Sequence, residues 1–154
     1  MSCLDRLKQL NLSLPPAPKP VGNYVRAVRA GRLIFTSGQL PLREGALLAT
    51  GLVGEDVPLV VAVAAARQAA LNALAVLDAE AGGLDNIARI VRLNVFVASA
   101  RGFVDQAAVA NGASELLVQV LGEAGRHTRC AIGAAQLPLN APVELDVVAE
   151  LRGE

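Results

Sequence analysis

Toward the C-terminus, His127-Thr128-Arg129-Cys130-Ala131-Ile132-Gly133 is followed by Leu137-Pro138 and then by Val143-Glu144-Leu145-Asp146-Val147-Val148-Ala149-Glu150, an arginine on one short strand and carboxylates on the next. A guanidinium carries a planar fork of donors that matches two carboxylate oxygens at once, which makes Arg129 a natural receptor for a small acid. A glutamate nearby, Glu144, could hold or activate a water. Each residue also has a plainer role open to it. Arg129 could be a solvated strand arginine, and Glu144 could belong to the outward face that Asp146 and Glu150 share. Tyr24, the sole tyrosine, offers a hydroxyl to a ligand or caps the rim of the core with that hydroxyl wet. Ser37, before Gly38, donates to a ligand or to local backbone, and Asn111 orients a ligand or caps a helix. His127 and Cys130 make a His-x-x-Cys pair, but there is no other histidine and Cys3 is remote, so no metal site is expected and no nucleophile–base pair either. Gly51-Leu52-Val53-Gly54 lacks the Lys-Ser/Thr and the spacing of a phosphate loop.

The elements that must position these side chains follow from periodicity. Leu4, Leu7 and Leu10 fall at helical spacing, and Leu14-Pro15-Pro16-Ala17-Pro18-Lys19-Pro20 forbids continuation. Residues 1–21 therefore read as a short helix and an extended proline-rich arm, and residues 22–154 as a single domain. Tyr24 to Val28 and Leu33 to Ser37 flank Arg29-Ala30-Gly31-Arg32, a hairpin with Gly31 available for positive φ. Residues 41–54 predict loop. Asp56 is placed to cap a helix that tolerates Pro58 in its first turn and runs to Ala81, with Leu71, Leu74 and Leu77 on its apolar stripe and Gly82-Gly83 ending it. Arg92 to Ala98 alternates as a third strand, and a second helix is expected from Asn111-Gly112 through Leu116, Leu117, Val120 and Leu121. Two strands close the chain, the last with Val143, Leu145, Val147, Ala149 and Leu151 on one face. The order ββαβαββ predicts an α+β fold, a mostly antiparallel sheet with two helices on one face.

Bulk properties exclude several functions. The chain's 154 residues are enough to bury one core without a disulfide or metal. Fourteen basic and 14 acidic residues cancel, no Lys/Arg run marks a patch, and aromatics are 3%, so no nucleic-acid partner is expected. Charged residues make up 18% against 53% hydrophobic, which points to buried subunit interfaces. The two cysteines are far apart and fit a reducing cytoplasm. The first twenty residues do not read as a signal peptide, and the longest apolar run, Leu59 to Ala66, is short of the ~20 residues of a membrane span, so no membrane partner is expected.

Gly22-Asn23-Tyr24-Val25, Leu33-Ile34-Phe35-Thr36-Ser37-Gly38-Gln39-Leu40-Pro41, Asn94-Val95-Phe96-Val97, Thr128-Arg129-Cys130-Ala131-Ile132 with Leu137-Pro138, and Val143-Glu144-Leu145-Asp146 occur in this order over residues 22–151. Together they resemble the reactive-intermediate deaminase family, RidA or YjgF, whose members are also labelled endoribonuclease L-PSP or translation inhibitor. The N-terminal helix, Asn111-Gly112-Ala113-Ser114 and Gly125-Arg126-His127 resemble a longer, mostly unassigned branch. The resemblance implies a chorismate-mutase-like fold of the bacillus type, a homotrimer with clefts at its subunit interfaces, and hydrolysis of 2-imino or 2-enamino acids to 2-keto acids and ammonia with no cofactor. It places Arg129 on the substrate carboxylate, Glu144 on the water, and Tyr24, Ser37 and Asn111 in the cleft. One position departs: where the family has a cysteine two residues after the arginine, this chain has Ala131, and Cys130 should point to the other face of its strand. That departure keeps a second function open, a non-catalytic module binding a keto acid or similar small carboxylate. Ribonuclease or translation-inhibitor activity has the family label behind it and the neutral charge against it.

Overall fold

The computed structural model describes residues 1–19 and 22–153; Pro20 of the arm, Val21 at the expected domain boundary and Glu154 lie outside the described residues. In chain order the elements are α1 (Cys3–Gln9), β1 (Ala27–Ala30), β2 (Leu33–Thr36), β3 (Leu42–Arg43), β4 (Ala46–Leu47), α2 (Leu59–Ala81), β5 (Ile87–Ala98), α3 (Gln106–Leu121), β6 (Thr128–Ala134) and β7 (Val143–Leu151). One sheet runs β1-β2-β7-β5-β6, antiparallel at every pairing except β5 with β6. Parallel neighbours need a crossover long enough to carry the chain back to the same end, and α3 is that crossover. This is the chorismate-mutase-like α+β arrangement.

Strand β7 shows how the layers form. Val143, Leu145, Val147, Ala149 and Leu151 are buried and the residues between them are half-buried, as a period of two over one covered face requires. The cover is α2, whose Ala62, Ala65, Ala66, Ala69, Ala70 and Ala73 are all at 0% exposure and let the helix lie close to the sheet, while Leu74 and Leu77 fill the space between. By length and composition α2 could cross a membrane, but 67% of its most apolar stretch is buried inside this protein, the position of a core helix. α3 packs beside it so closely that a Cβ at Gly112 would collide with the Val63 carbonyl.

Five local expectations change. The first strand is Ala27–Ala30 and not Tyr24 to Val28, residues 22–26 being irregular. Asp56 does not cap α2: its carboxylate accepts the Leu52 N–H at 2.9 Å, and Pro58 stands at the N-cap without a side-chain bond. Helix α3 begins at Gln106 rather than at Asn111-Gly112, which lie inside it. Mid-helix glycine costs about 1 kcal/mol relative to alanine, and the approach of α2 at Val63 is what selects it here. The stretch 41–54 contains the short β3–β4 hairpin, turned by Glu44 and Gly45 with φ of 51° and 82°, positive at both central positions as a tight hairpin demands. Strand β5 starts at Ile87, five residues earlier than its alternation suggests, because register shifts at Ile87/Arg89 and Ile90/Arg92 break the period.

The N-terminal helix joins the same core. Ser2 and Asp5 form a reciprocal capping box, and Cys3 and Leu7 are buried in the main hydrophobic cluster. Leu4 is exposed and Leu10 half-buried. Burial and the Asp85 carboxylate push the Cys3 thiol up to about 11. Cys3 is therefore a packing residue, held as the thiol.

Candidate functional site

Arg129 and Glu144 are not neighbours within one chain. Strand β5 lies between β6 and β7, and the register places the two residues on opposite faces of the sheet. Arg129 pairs with Leu93, which is buried under the helices, whereas Glu144 pairs with Phe96, which shares the uncovered face with Asn94.

On the helix side, Arg129 Nη1 donates to Asn111 Oδ1 at 2.8 Å and to Ser114 Oγ at 3.1 Å. Asn111 and Ser114 are three apart on α3 and so share one face of the helix. Ser114 Oγ also lies 2.9 Å from His127 Nε2, while His127 Nδ1 lies 2.6 Å from the Gly125 carbonyl. A carbonyl only accepts, so Nδ1 carries the proton in this bond, and in the tautomer protonated there alone Nε2 accepts from the Ser114 hydroxyl. The chain of donors runs Arg129 to Ser114 to His127 to Gly125. Nη1 is thereby committed, while among the described residues Nε and Nη2 have no partner. Those two nitrogens form one side of the guanidinium fork, the side that takes a carboxylate in two parallel bonds. Ala131 lies on the Arg129 side and Cys130, paired with Asn94, is exposed on the other, as alternation requires.

On the uncovered side, three carboxylates of β7 point the same way and differ in their partners. Glu150 pairs with Arg32 at 2.5 Å and Arg89 at 3.2 Å, and Asp146 accepts from Asn94 Nδ2 at 2.8 Å. Glu144 has no hydrogen-bond or ion-pair partner among the described residues. It is half-buried, and burial first, then the neighbouring Asp146 charge, raises its pKa above the ordinary carboxylate range. Its side chain lies against Gly38, where any Cβ would overlap Oε1. The Gln39–Leu145 bridge, with bonds of 2.7 and 3.0 Å, pins that glycine beside the glutamate.

Gly38 also lines a cavity of about 660 Å³, as do Tyr24, Ser37 and Pro138. The Ser37 hydroxyl donates to the Val25 carbonyl at 2.6 Å, so its local backbone role is filled, though its oxygen can still accept. Tyr24 is 55% exposed. The predicted residues thus fall into two groups, Arg129 with Asn111 and Glu144 with Tyr24 and Ser37. Ser114 and His127 complete the first group. Their signal was present in the i, i+3 spacing of Asn111 and Ser114 but was hidden by the placement of a helix start there. No three His, Cys, Asp or Glu side chains cluster as metal ligands among the described residues.

A family model described as "YjgF/chorismate mutase-like, putative endoribonuclease" matches residues 4–151. The chain belongs to the YjgF/RidA family. The matched span is wider than residues 22–151 and takes in most of α1 and the arm. Protein TCP17 of Trypanosoma cruzi is 45% identical over 94% of this chain and 91% of its own length. The 2-iminobutanoate/2-iminopropanoate deaminase of Salmonella typhimurium is 33% identical over 88% of this chain and 93% of its own. A crystal structure of a protein of unknown function from Agrobacterium tumefaciens superimposes with a TM-score of 0.92 at 47% identity, covering 97% of this chain and 92% of that one. Among relatives of this family, then, the name imine deaminase attaches to chains about a third identical to this one.

Proposed function

We propose that the protein hydrolyses reactive 2-imino and 2-enamino acids to 2-keto acids and ammonia, in clefts between the subunits of a homotrimer. The observation that carries this reading is the split of the site: a braced guanidinium on one face of the sheet and an unpartnered, half-buried glutamate on the other. Neither half is a complete site, and Arg129 of one subunit facing Glu144 of another would complete it. The uncovered face suits such assembly. Val28, Phe35 and Ile132 are exposed on it, and Phe96 and Val148 lie half-buried between them. Apolar surface of that kind is what oligomers bury.

The chemistry asks little of the protein. Arg129 Nε and Nη2 hold the substrate carboxylate, and the protonated imine carbon is already electrophilic. Water adds to that carbon as its proton passes to Glu144. Glu144 returns that proton to the carbinolamine nitrogen, and the hydroxyl oxygen's electron pair forms the C=O bond as the C–N bond breaks, expelling ammonia while the hydroxyl proton passes back through Glu144 to leave the keto acid and ammonium. Glu144 must be ionised to accept the first proton, and its raised pKa brings it nearer to the working range of a base that also returns protons. Tyr24, Ser37 and Asn111 position the substrate. The reaction needs no cofactor, and free thiols at Cys3 and exposed Cys130 suit a reducing cytoplasm.

The test generates 2-iminobutanoate and 2-iminopropanoate in situ with an amino-acid oxidase, traps surviving imine with semicarbazide, and compares wild type with Arg129→Ala. A charge-assisted contact of ~1.5–3 kcal/mol corresponds to a loss of roughly 10- to 150-fold in kcat/KM. Equal turnover by the two proteins would remove Arg129 from the mechanism. Ala131, on the Arg129 side of β6 in place of the family's cysteine, favours a second reading: a module that binds small keto acids without turning them over. Thermal stabilisation by 2-ketobutyrate with imine loss at background would select it.

A further inference from the structure

The N-terminal arm lines part of the 660 Å³ cavity that Gly38 also lines. It is anchored like a structural element. The helix ends at Gln9 with Leu10 as its C-cap, Asn11 takes φ of 54°, the Leu12 N–H returns to the Leu7 carbonyl at 2.9 Å, and Leu10, Leu12 and Leu14 pack against the core. Beyond these anchors Pro15, Pro16 and Pro18 line the cavity. Their rings fix φ, so the wall loses little further freedom when a ligand arrives.

A second segment of the lining is held by a different device. Asn72 of α2 donates to the Leu40 and Leu42 carbonyls at 3.0 and 2.9 Å, Gln68 donates to Asn72 Oδ1 at 3.0 Å, and Arg43 donates to Gln68 Oε1 at 3.1 Å. Leu40 and Leu42 are thereby held in place, and they line the cavity together with the prolines and Leu139. The prolines and leucines make the lining mostly apolar, with Lys19, Arg26 and Glu44 the charged side chains that also border it, and both anchored segments are fixed before binding. A cavity of this size lies in the ~300–1,000 Å³ range of pockets for drug-sized ligands, several times the volume of a three- or four-carbon acid.

We propose that this chamber is the side-chain pocket of the site and that the arm sets its specificity. The protein then takes 2-imino acids with large apolar side chains, branched or aromatic, in preference to the short ones. The reaction rests on the function proposed above, whereas the pocket can be tested by binding alone.

The experiment titrates full-length wild type, Pro15→Asp and Pro15→Gly/Pro18→Gly calorimetrically with pyruvate, 4-methyl-2-oxopentanoate and phenylpyruvate. It then measures turnover of the corresponding imines by semicarbazide trapping. Added methylenes in an apolar pocket predict Kd and kcat/KM ratios of about tenfold or more in favour of the large acids. Both variants, one charging the wall and one loosening it, move the large-to-small ratio toward one. The glycine pair keeps the comparison available if the aspartate destabilises the arm. Equal affinities in wild type, tighter pyruvate binding (as when a second copy fills the chamber), no binding of any keto acid, or ratios unchanged in both variants would overturn the proposal. A retained binding preference without imine loss would overturn the hydrolase reading alone.

Discussion

The two faces of the sheet treat their polar residues in opposite ways. Around Arg129 the bonds form a closed run through Asn111, Ser114, His127 and the Gly125 carbonyl, which fixes the guanidinium and consumes Nη1. Around Glu144, Asp146 and Glu150 each have partners, while Glu144 is left half-buried with a raised pKa and none among the described residues. A binding group gains from being held in one geometry before the ligand arrives. A group that must take and return a proton gains from an environment that leaves both of its forms accessible. Under the proposed function the arrangement suits the arginine to recognition and the glutamate to proton handling, and because the two stand on opposite faces of one chain, a cleft that uses both would draw them from two subunits.

The strongest way to break this comparison is to separate the halves genetically. Glu144→Gln removes the base and should lower kcat by roughly 10²- to 10⁴-fold, and Arg129→Ala is itself impaired. If each cleft takes its arginine from one subunit and its glutamate from another, unfolding and refolding an equal mixture of the two variants restores about a quarter of the wild-type sites, the share expected for random assembly in a cyclic oligomer. Activity that stays at the level of the separate variants would mean that one chain supplies both residues.

A smaller effect sharpens the Glu144 half. Burial is the larger cause of its raised pKa and the Asp146 charge the second. Asp146→Asn keeps an Oδ1 acceptor for Asn94 while removing the charge. Glu144 acts as a base only when ionised, so kcat/KM rises with pH through its pKa, and the variant should move that acid limb to lower pH. At pH values on the limb the variant should then be the faster enzyme. The stability sign agrees: a carboxyl raised in the folded state contributes most below its unfolded pKa, and that contribution is lost as pH rises through the folded value, so the variant should lose less over that window. A pH–rate profile that does not move would assign the limb to another group.

The sequence made the covered face of the sheet legible where a single period governed it. The alternation of β7 and the alanine-rich length of α2 are surface-to-core patterns that need no knowledge of neighbours. Strand β5 was legible only from Arg92 onward because its two bulges put buried Ile87, Ile90 and Leu93 three residues apart, which mimics neither a flat strand nor a full helix. Asn111-Gly112 carries the local signal of a helix start, and only the tertiary contact with Val63 explains why the helix runs through it. Arg129 and Glu144 could be named from residue type and resemblance. Their separation could not, because strand order is set by pairing, and adjacency in sequence says nothing about the intervening β5 or about which face each residue takes.

The brace on Arg129 makes the finest prediction, because it separates a positioning role from a structural one. Asn111 is exposed, and its bond to Nη1 is one of two, so Asn111→Ala should remove ~0.5–1.5 kcal/mol of orientation, about two- to tenfold and chiefly in KM. The same change puts a better helix former in the middle of α3, worth up to ~0.7 kcal/mol in the opposite direction. Thermal stability should therefore hold or rise while affinity falls. If Tm and KM worsened together, Asn111 would be supporting the helix and not the arginine, and the bond at 2.8 Å would be incidental to recognition.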